Sequence, residues 1–258
     1  MCYNNGMDIK AISFNVRNTD DDNGNLIKER AERLFAVTNN YDADVIGFQE
    51  YSELWEEYVP KRFFNDYEFF NRYRSETGFL ESTPILWKKE KFECLDRGCF
   101  WLSDTPEVES GGWDTYGCNR TCLYATLKNK QNGTIFTFFN THFGFGDENQ
   151  VKSVKLICKY MKSVSNYPTF ISGDFNMTPT SLGYLEMVKN LKDVNELTVK
   201  DRRSTYHGYV LDNNFNEHID YVFIDENFSP ITFKIIDETV DGKFPSDHYG
   251  IYTELKIK

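Results

Sequence analysis

The sequence predicts an α/β protein in which two stacked sheets carry helices on their outer faces. Three observations lead there. Strand-like runs outnumber helix-like runs, and the few helices are spread through the chain rather than gathered at one end. The 258 residues are 40% hydrophobic and 16% aromatic, enough to fill a large core. No low-complexity segment, repeat or Pro/Gly/Ser-rich linker interrupts them, so a single domain over residues 1–258 is expected.

The elements follow from periodicity. Asp8 to Val16 alternates apolar and polar residues and reads as a strand. Leu26 to Asn39 places Leu26, Ile27, Leu34 and Val37 at helical spacing. Ala43 to Phe48 is a short apolar run, a buried strand that ends at Gln49-Glu50, and Leu54 to Phe64 reads as one helix. Strands are expected around Tyr67–Phe70, Pro84–Trp87, Phe92–Leu102, Thr121–Lys128 and Thr134–Thr141. Val151 to Val164 returns to helical spacing, Pro168 to Ser172 is a buried strand, and Leu182 to Leu191 is a helix. Ile219–Ile224, Ile231–Ile236 and Tyr249–Leu255 are the last strands.

Bulk chemistry narrows the function. The net charge of −11 and the lack of a dense basic run argue against an extended footprint on a nucleic acid, whose binding rests on neutralising phosphates. A bound metal would supply local positive charge, so a nuclease stays open. No stretch is long and apolar enough to span a membrane, and Met1 to Lys10 lacks a secretory apolar run, so a cytoplasmic protein is expected, with export by a signal outside the given sequence as the alternative; a monomer is expected as well. Six cysteines occur, Cys2, Cys94, Cys99, Cys118, Cys122 and Cys158. Their spacing lacks the recurrent close pairs or neighbouring histidines of a compact zinc site, so reduced thiols are expected.

The polar clusters fall at strand ends. Asn15, Glu50, His142, Asp174, Asp220 and Asp247-His248 all lie at the close or the start of an apolar run, where sheet proteins build sites. Each alone has a plain structural explanation as a turn, edge or solvated residue; their joint occurrence carries the argument. Phosphate-ester hydrolysis needs a hard cation held by oxygen ligands, a group that orients or deprotonates water, and donors to the transition-state charge. Asn15 and Glu50 fit the cation. Asp174 and Asn176 fit the water. His142 and His248 fit donation to phosphoryl oxygens, each needing an acidic partner.

Ser13-Phe14-Asn15-Val16-Arg17, Gln49-Glu50, Asn140-Thr141-His142, Gly173-Asp174-Phe175-Asn176, Ile219-Asp220-Tyr221 and Ser246-Asp247-His248 occur in that order. The set resembles the ordered signature of the endonuclease/exonuclease/phosphatase superfamily, over nearly the whole chain. The resemblance implies a four-layer α/β/β/α sandwich of two mostly antiparallel sheets flanked by helices. It implies Mg²⁺ or Mn²⁺ as cofactor, held by Asn15 and Glu50 with Asp247 nearby. Asp174 would activate water beside Asn176, Asp220 would pair with His248, and His142 would stabilise the pentacovalent phosphorus. In the deoxyribonuclease branch that histidine has a glutamate partner, and Glu81 matches its place.

Softer matches to a bacterial branch of undefined substrate are Phe100 to Pro106 with Gly112-Trp113-Asp114 and Arg120, and Thr205-Tyr206-His207-Gly208. They make Arg120 a candidate to clasp a non-bridging or terminal phosphate oxygen, with a surface salt bridge as the alternative. His207 becomes a candidate for the rim of the site or for the cap of a turn. Trp101 is expected in the core. Tyr51-Ser52-Glu53 offers no positive charge where the deoxyribonuclease branch has a phosphate contact. Phe79 stands for a tyrosine of that branch, and His218 for an arginine of many relatives.

The expected function is therefore a metal-dependent phosphoesterase acting on a small or lipid-linked phosphate ester. A DNA or RNA nuclease is the alternative. A non-catalytic binding module of the same fold is the third reading, which the complete polar set disfavours. The only hint of a lipid-inserting hairpin is the short run Gly78-Phe79-Leu80.

Overall fold

The computed structural model describes residues 7–210 and 217–258; Cys2 lies outside them. The elements in order are β1 (Asp8–Asn15), α1 (Ile27–Asn39), β2 (Val45–Gln49) and β3 (Tyr51–Ser52), then a 3-10 turn (Glu53–Glu57) and α2 (Val59–Phe63). There follow β4 (Tyr67–Phe70), β5 (Glu81–Ser82), β6 (Ile85–Lys88), β7 (Phe92–Trp101), β8 (Thr121–Asn129) and β9 (Ile135–His142). α3 (Asp147–Val164), β10 (Thr169–Asp174), α4 (Leu182–Met187), β11 (Lys192–Asp193), α5 (Val194–Leu197), β12 (Asp220–Ile224), β13 (Phe228–Ile236) and β14 (Gly250–Ile257) complete the chain.

Two six-stranded sheets form, in the orders β13-β14-β1-β2-β6-β4 and β11-β12-β10-β9-β8-β7. Each contains one parallel pair, β1 with β2 and β9 with β10, and is otherwise antiparallel. Ile9, Ala11, Val45 and Trp87 of the first sheet meet Leu123, Leu127, Phe138 and Phe170 of the second in the central core. The other face of the first sheet packs Ile12, Phe14 and Phe48 against Ala31, Leu34 and Val37 of α1. The other face of the second packs Phe139, Ile171 and Phe223 against Val154 and Ile157 of α3 and Tyr184 of α4. Strand alternation sends successive side chains to these separate cores, which is the expected four-layer sandwich.

Local departures have local causes. The expected helix from Leu54 to Phe64 splits into the 3-10 turn and α2. Pro60, in the first turn of α2, has no N–H for a helix arriving from residue 56. β3 and β5 form a two-residue ladder, Tyr51 opposite Ser82 and Ser52 opposite Glu81, too short for alternation to reveal.

One amide ties the sheets together. Asn140 on β9 donates from Nδ2 to the carbonyls of Phe48, Thr83 and Pro84 across the gap. Its Oδ1 accepts from Gln49 Nε2 at 2.7 Å and from Ser172 Oγ at 3.2 Å. The facing residue is Gly47, where a Cβ would sit 2.6 Å from the Asn140 side chain. A buried amide so fully bonded specifies one sheet-to-sheet register.

Candidate active site

The topology brings the polar strand ends to one edge. Parallel neighbours finish side by side, so Asn15 pairs with Gln49 just before Glu50, and His142 pairs with Asp174. β12 runs antiparallel to β10 and therefore starts at Asp220, opposite Asp174. β14 runs antiparallel to β1, so Asp247 and His248, just ahead of Gly250, arrive at the end of β1. The backbone bends sharply here: Arg17, Glu50 and Asn176 have φ of 63°, 55° and 48°. Non-glycine residues in this region cost free energy that the surrounding structure must offset.

These ends line a cleft of about 430 Å³, together with Arg17, Asn18, Arg74, Glu81, Cys118 and Arg120. Asp174 is its centre. Asp174 Oδ1 accepts the Asn176 backbone N–H at 2.9 Å, and Oδ2 accepts Asn15 Nδ2 at 3.0 Å. Both histidines turn Nε2 toward the same Oδ2, His142 at 3.5 Å and His248 at 3.8 Å. Asn176 Nδ2 bonds the Phe143 carbonyl at 2.9 Å and lies 3.1 Å from His142 Nε2.

The histidines are backed differently. His248 Nδ1 is 3.0 Å from Asp220 Oδ2, and both residues are buried. Burial pulls the His248 pKa down, but the carboxylates of Asp220, Asp174 and Asp247 outweigh it and lift it to about 10. His142 Nδ1 lies 3.7 Å from Glu81 Oε1, an ion-pair distance and too long for a hydrogen bond. Glu81 is shared: Arg74 Nη1 donates to it at 2.6 Å and Asn18 Nδ2 at 2.7 Å. Burial alone would raise the Glu81 pKa. The His142 ring and the Arg74 and Arg120 charges outweigh it and hold the carboxyl down at about 2.

The donors suited to a cation are oxygens. Glu50 takes Asn15 Nδ2 at 3.1 Å on one oxygen and the Asn18 N–H at 3.1 Å on the other. Asn15 spends its NH₂ on Glu50 and Asp174, and its Oδ1 accepts the Arg17 N–H at 3.0 Å. Burial and the Glu50 charge raise the pKa of Asp247, against the nearby His248 and Arg17 cations. Carboxylates that repel one another in a cleft fit a hard dication. Asp174, Asp220 and His248 also bring one ligand atom each within 4.8 Å. The Nδ1 side of that histidine is already bonded to Asp220, which makes this trio a dyad facing Asp174.

Of the residues singled out in the sequence, Glu50, Glu81, Arg120, His142, Asp174, Asn176, Asp247 and His248 line the cleft, with Asn15 and Asp220 directly behind them. His207 is not brought there. Its ring is fully buried against Phe244 and Tyr249, 4.7 and 4.3 Å between centroids, and burial lowers its pKa to about 4. Of the two expectations for it, the rim is corrected and the turn cap is found: His207 Nδ1 accepts the Tyr209 N–H at 3.1 Å, while the neighbouring Tyr206 lines the cleft. The N–H groups of His207 and Gly208 bond the Asp247 carbonyl, and Thr205 Oγ1 accepts those of Ile219 and Asp220.

Sequence reasoning passed over several neighbours. Asn18 and Arg74 hold Glu81, and Arg74 brings a cation to the cleft, where Tyr51 and Ser52 are buried. An arginine pair at 72 and 74 in an acidic chain was the available signal. Arg30, wholly buried over the Trp55 ring, donates to the carbonyls of Val16, Arg17, Thr19 and Asn25 and so shapes the loop after β1. His218 turns from the cleft and bonds the Arg203 carbonyl. Trp101 is buried and donates to the Arg74 carbonyl at 2.8 Å.

Comparison with known proteins agrees with this geometry. Residues 12–248 match the model of the Endonuclease/Exonuclease/phosphatase family. An endonuclease/exonuclease/phosphatase from Bacteroides vulgatus superposes with a TM-score of 0.88 at 28% identity, over 98% of this chain and 100% of that one. A Bacteroides thetaiotaomicron mannosyl-6-phosphatase gives 0.86 at 26% identity, over 96% and 99%. A curated protein of Acanthamoeba polyphaga mimivirus is 27% identical over 160 residues, 58% of this chain and 59% of its own length. Among the described residues no helix is long and apolar enough to cross a membrane.

Proposed function

From a chain that belongs to the endonuclease/exonuclease/phosphatase family, we propose a divalent-metal-dependent phosphoesterase that hydrolyses a small phosphate ester. One observation carries the reading. Two imidazoles, each with a carboxylate behind it, converge on one oxygen of Asp174. Such a set supplies a base for water and donors for a phosphoryl group in one place.

The residues that would hold Mg²⁺ or Mn²⁺ are Glu50 and Asp247, with Asn15 positioning Glu50. When bound, the ion polarises phosphoryl oxygens and lowers the pKa of water. Asp174 takes the proton of the attacking water as its oxygen bonds to phosphorus and the ester P–O bond breaks. The departing alkoxide gains a proton from solvent, giving an alcohol and phosphate, or a phosphomonoester if the substrate is a diester. His142 and His248 donate to the charge that builds on phosphorus-bound oxygens. A sugar phosphate is the first substrate to test, because the mannosyl-6-phosphatase covers nearly the whole chain. The cleft volume of about 430 Å³ and the net charge of −11 support a small substrate over a long duplex.

Activity on p-nitrophenyl phosphate and hexose 6-phosphates is expected to vanish with EDTA and return with Mg²⁺ or Mn²⁺. Full activity in the chelated protein overturns the reading. Plasmid nicking at physiological salt as efficient as the best small substrate would shift it to a nuclease.

A further inference from the structure

The His142 side of the cleft carries a second cation besides Arg74. Arg120 immediately precedes β8 and is only 7% exposed. Its backbone carbonyl accepts the Leu102 N–H at 2.7 Å. Its Nε donates to Asp114 Oδ2 at 2.9 Å. Asp114 is itself fixed: its side chain has no solvent exposure, and Oδ1 accepts the Tyr116 N–H at 2.8 Å. Glycine at 144 makes room for it, because a Cβ there would stand 2.2 Å from Asp114 Oδ2.

The contact uses one edge atom of the guanidinium and leaves the fork incomplete. Arg120 Nη1 is buried with no hydrogen-bond partner among the described residues. An unmade hydrogen bond on a buried donor costs on the order of 1–3 kcal/mol. A side chain braced by a buried carboxylate, short of a partner and lining the cleft beside His142 and Asn176 is organised for an anion.

The chemistry of the two ester classes says which anion. A diester presents two non-bridging oxygens and one charge. A monoester presents three terminal oxygens and a charge of roughly −1.5 to −2 near neutral pH. The third oxygen and the extra charge match a further fixed cation, which a diester's single charge needs less. We propose that Arg120, held by Asp114, selects phosphomonoesters by binding a terminal phosphate oxygen. This rests on the phosphoesterase reading and sharpens it to a substrate class.

The test compares kcat/KM for p-nitrophenyl phosphate and bis(p-nitrophenyl) phosphate, with Mg²⁺ or Mn²⁺ present, and measures inorganic phosphate binding by calorimetry. Two variants are used. Arg120→Lys keeps the charge opposite Asp114 and so keeps the fold. Arg120→Gln with Asp114→Asn removes both charges and strands neither. Wild type is expected to prefer the monoester. In both variants the monoester-to-diester ratio should fall by about thirtyfold and phosphate binding should weaken at least about tenfold, the scale of one charge-assisted hydrogen bond. A ratio that stays constant while both rates fall, or phosphate affinity that does not change, overturns the proposal. So does a wild type that prefers the diester, which leaves the hydrolase reading intact. If neither ester is hydrolysed but phosphate binds in an Arg120-dependent way, the subsite stands and the hydrolase reading falls.

Discussion

The two histidines of the cleft look alike in sequence and are built differently. Asp220 opens β12, and His248 lies two residues before β14. Asp220 pairs with Asp174 across β12 and β10, its N–H is held by Thr205, and the His248 contact is 3.0 Å. Glu81 sits on a two-residue ladder outside both sheets, divides its oxygens between Arg74 and Asn18, and reaches His142 only at 3.7 Å. A partner delivered by the sheet is fixed by the fold. A partner delivered by a loop is fixed by whatever other charges crowd it. The first dyad is therefore set before substrate arrives, and the second depends on its neighbours.

The largest expected effect breaks the first dyad. His248→Ala should lower kcat by about two to four orders of magnitude, the scale of a positioned donor, with KM changing much less. Asp220→Asn should resemble it, and the double variant should fall far short of the product of the two, because the pair acts as one unit. Steady-state kinetics on folded protein decides this; near-wild-type turnover in His248→Ala removes the residue from the mechanism. Glu81→Gln should cost less, roughly ten- to a hundredfold in kcat. An equal loss at both dyads would erase the distinction drawn between them.

A third experiment separates the dyads by acid. Glu81 has an ordinary pKa of about 4.5 when unfolded and about 2 when folded. Its stabilisation is fully present above the unfolded value and is lost as pH falls through the folded one. The stability gap between wild type and Glu81→Gln, on the order of 3 kcal/mol at neutral pH, should close between about pH 5 and pH 2 in urea titrations. A gap that does not change with pH would show that the carboxylate's charge is not what stabilises. The smallest effect is expected from Thr205→Val, which leaves the buried N–H groups of Ile219 and Asp220 without their acceptor. It should lower stability by about 1–3 kcal/mol and kcat only severalfold; a loss of kcat as large as that of Asp220→Asn would make Thr205 part of the reacting set.

The same contrast explains what could be read from the sequence. Asn15, Glu50, His142, Asp174 and Asp220 stand where apolar runs stop or start, so strand patterning alone marked the edge of the sheets. Asp247 and His248 came with the next strand. Glu81 required the resemblance, because its ladder is too short to show alternation. Arg74, Asn18 and Thr205 lie in loops, where no period exists and partners are set by tertiary packing. His207 misled because a histidine in a polar segment reads as exposed until the rings of Phe244 and Tyr249 are seen around it.

The amide of Asn140 has a consequence for inheritance. It touches Gly47 through van der Waals contact and Gln49, Ser172 and three carbonyls through hydrogen bonds. A side chain that satisfies two sheets at once cannot be exchanged by a single substitution without stranding buried groups on both. Any larger residue at position 47, or any residue without an amide at 140, must arrive with its counterpart. Changes at these positions are thus expected to be tolerated only in pairs.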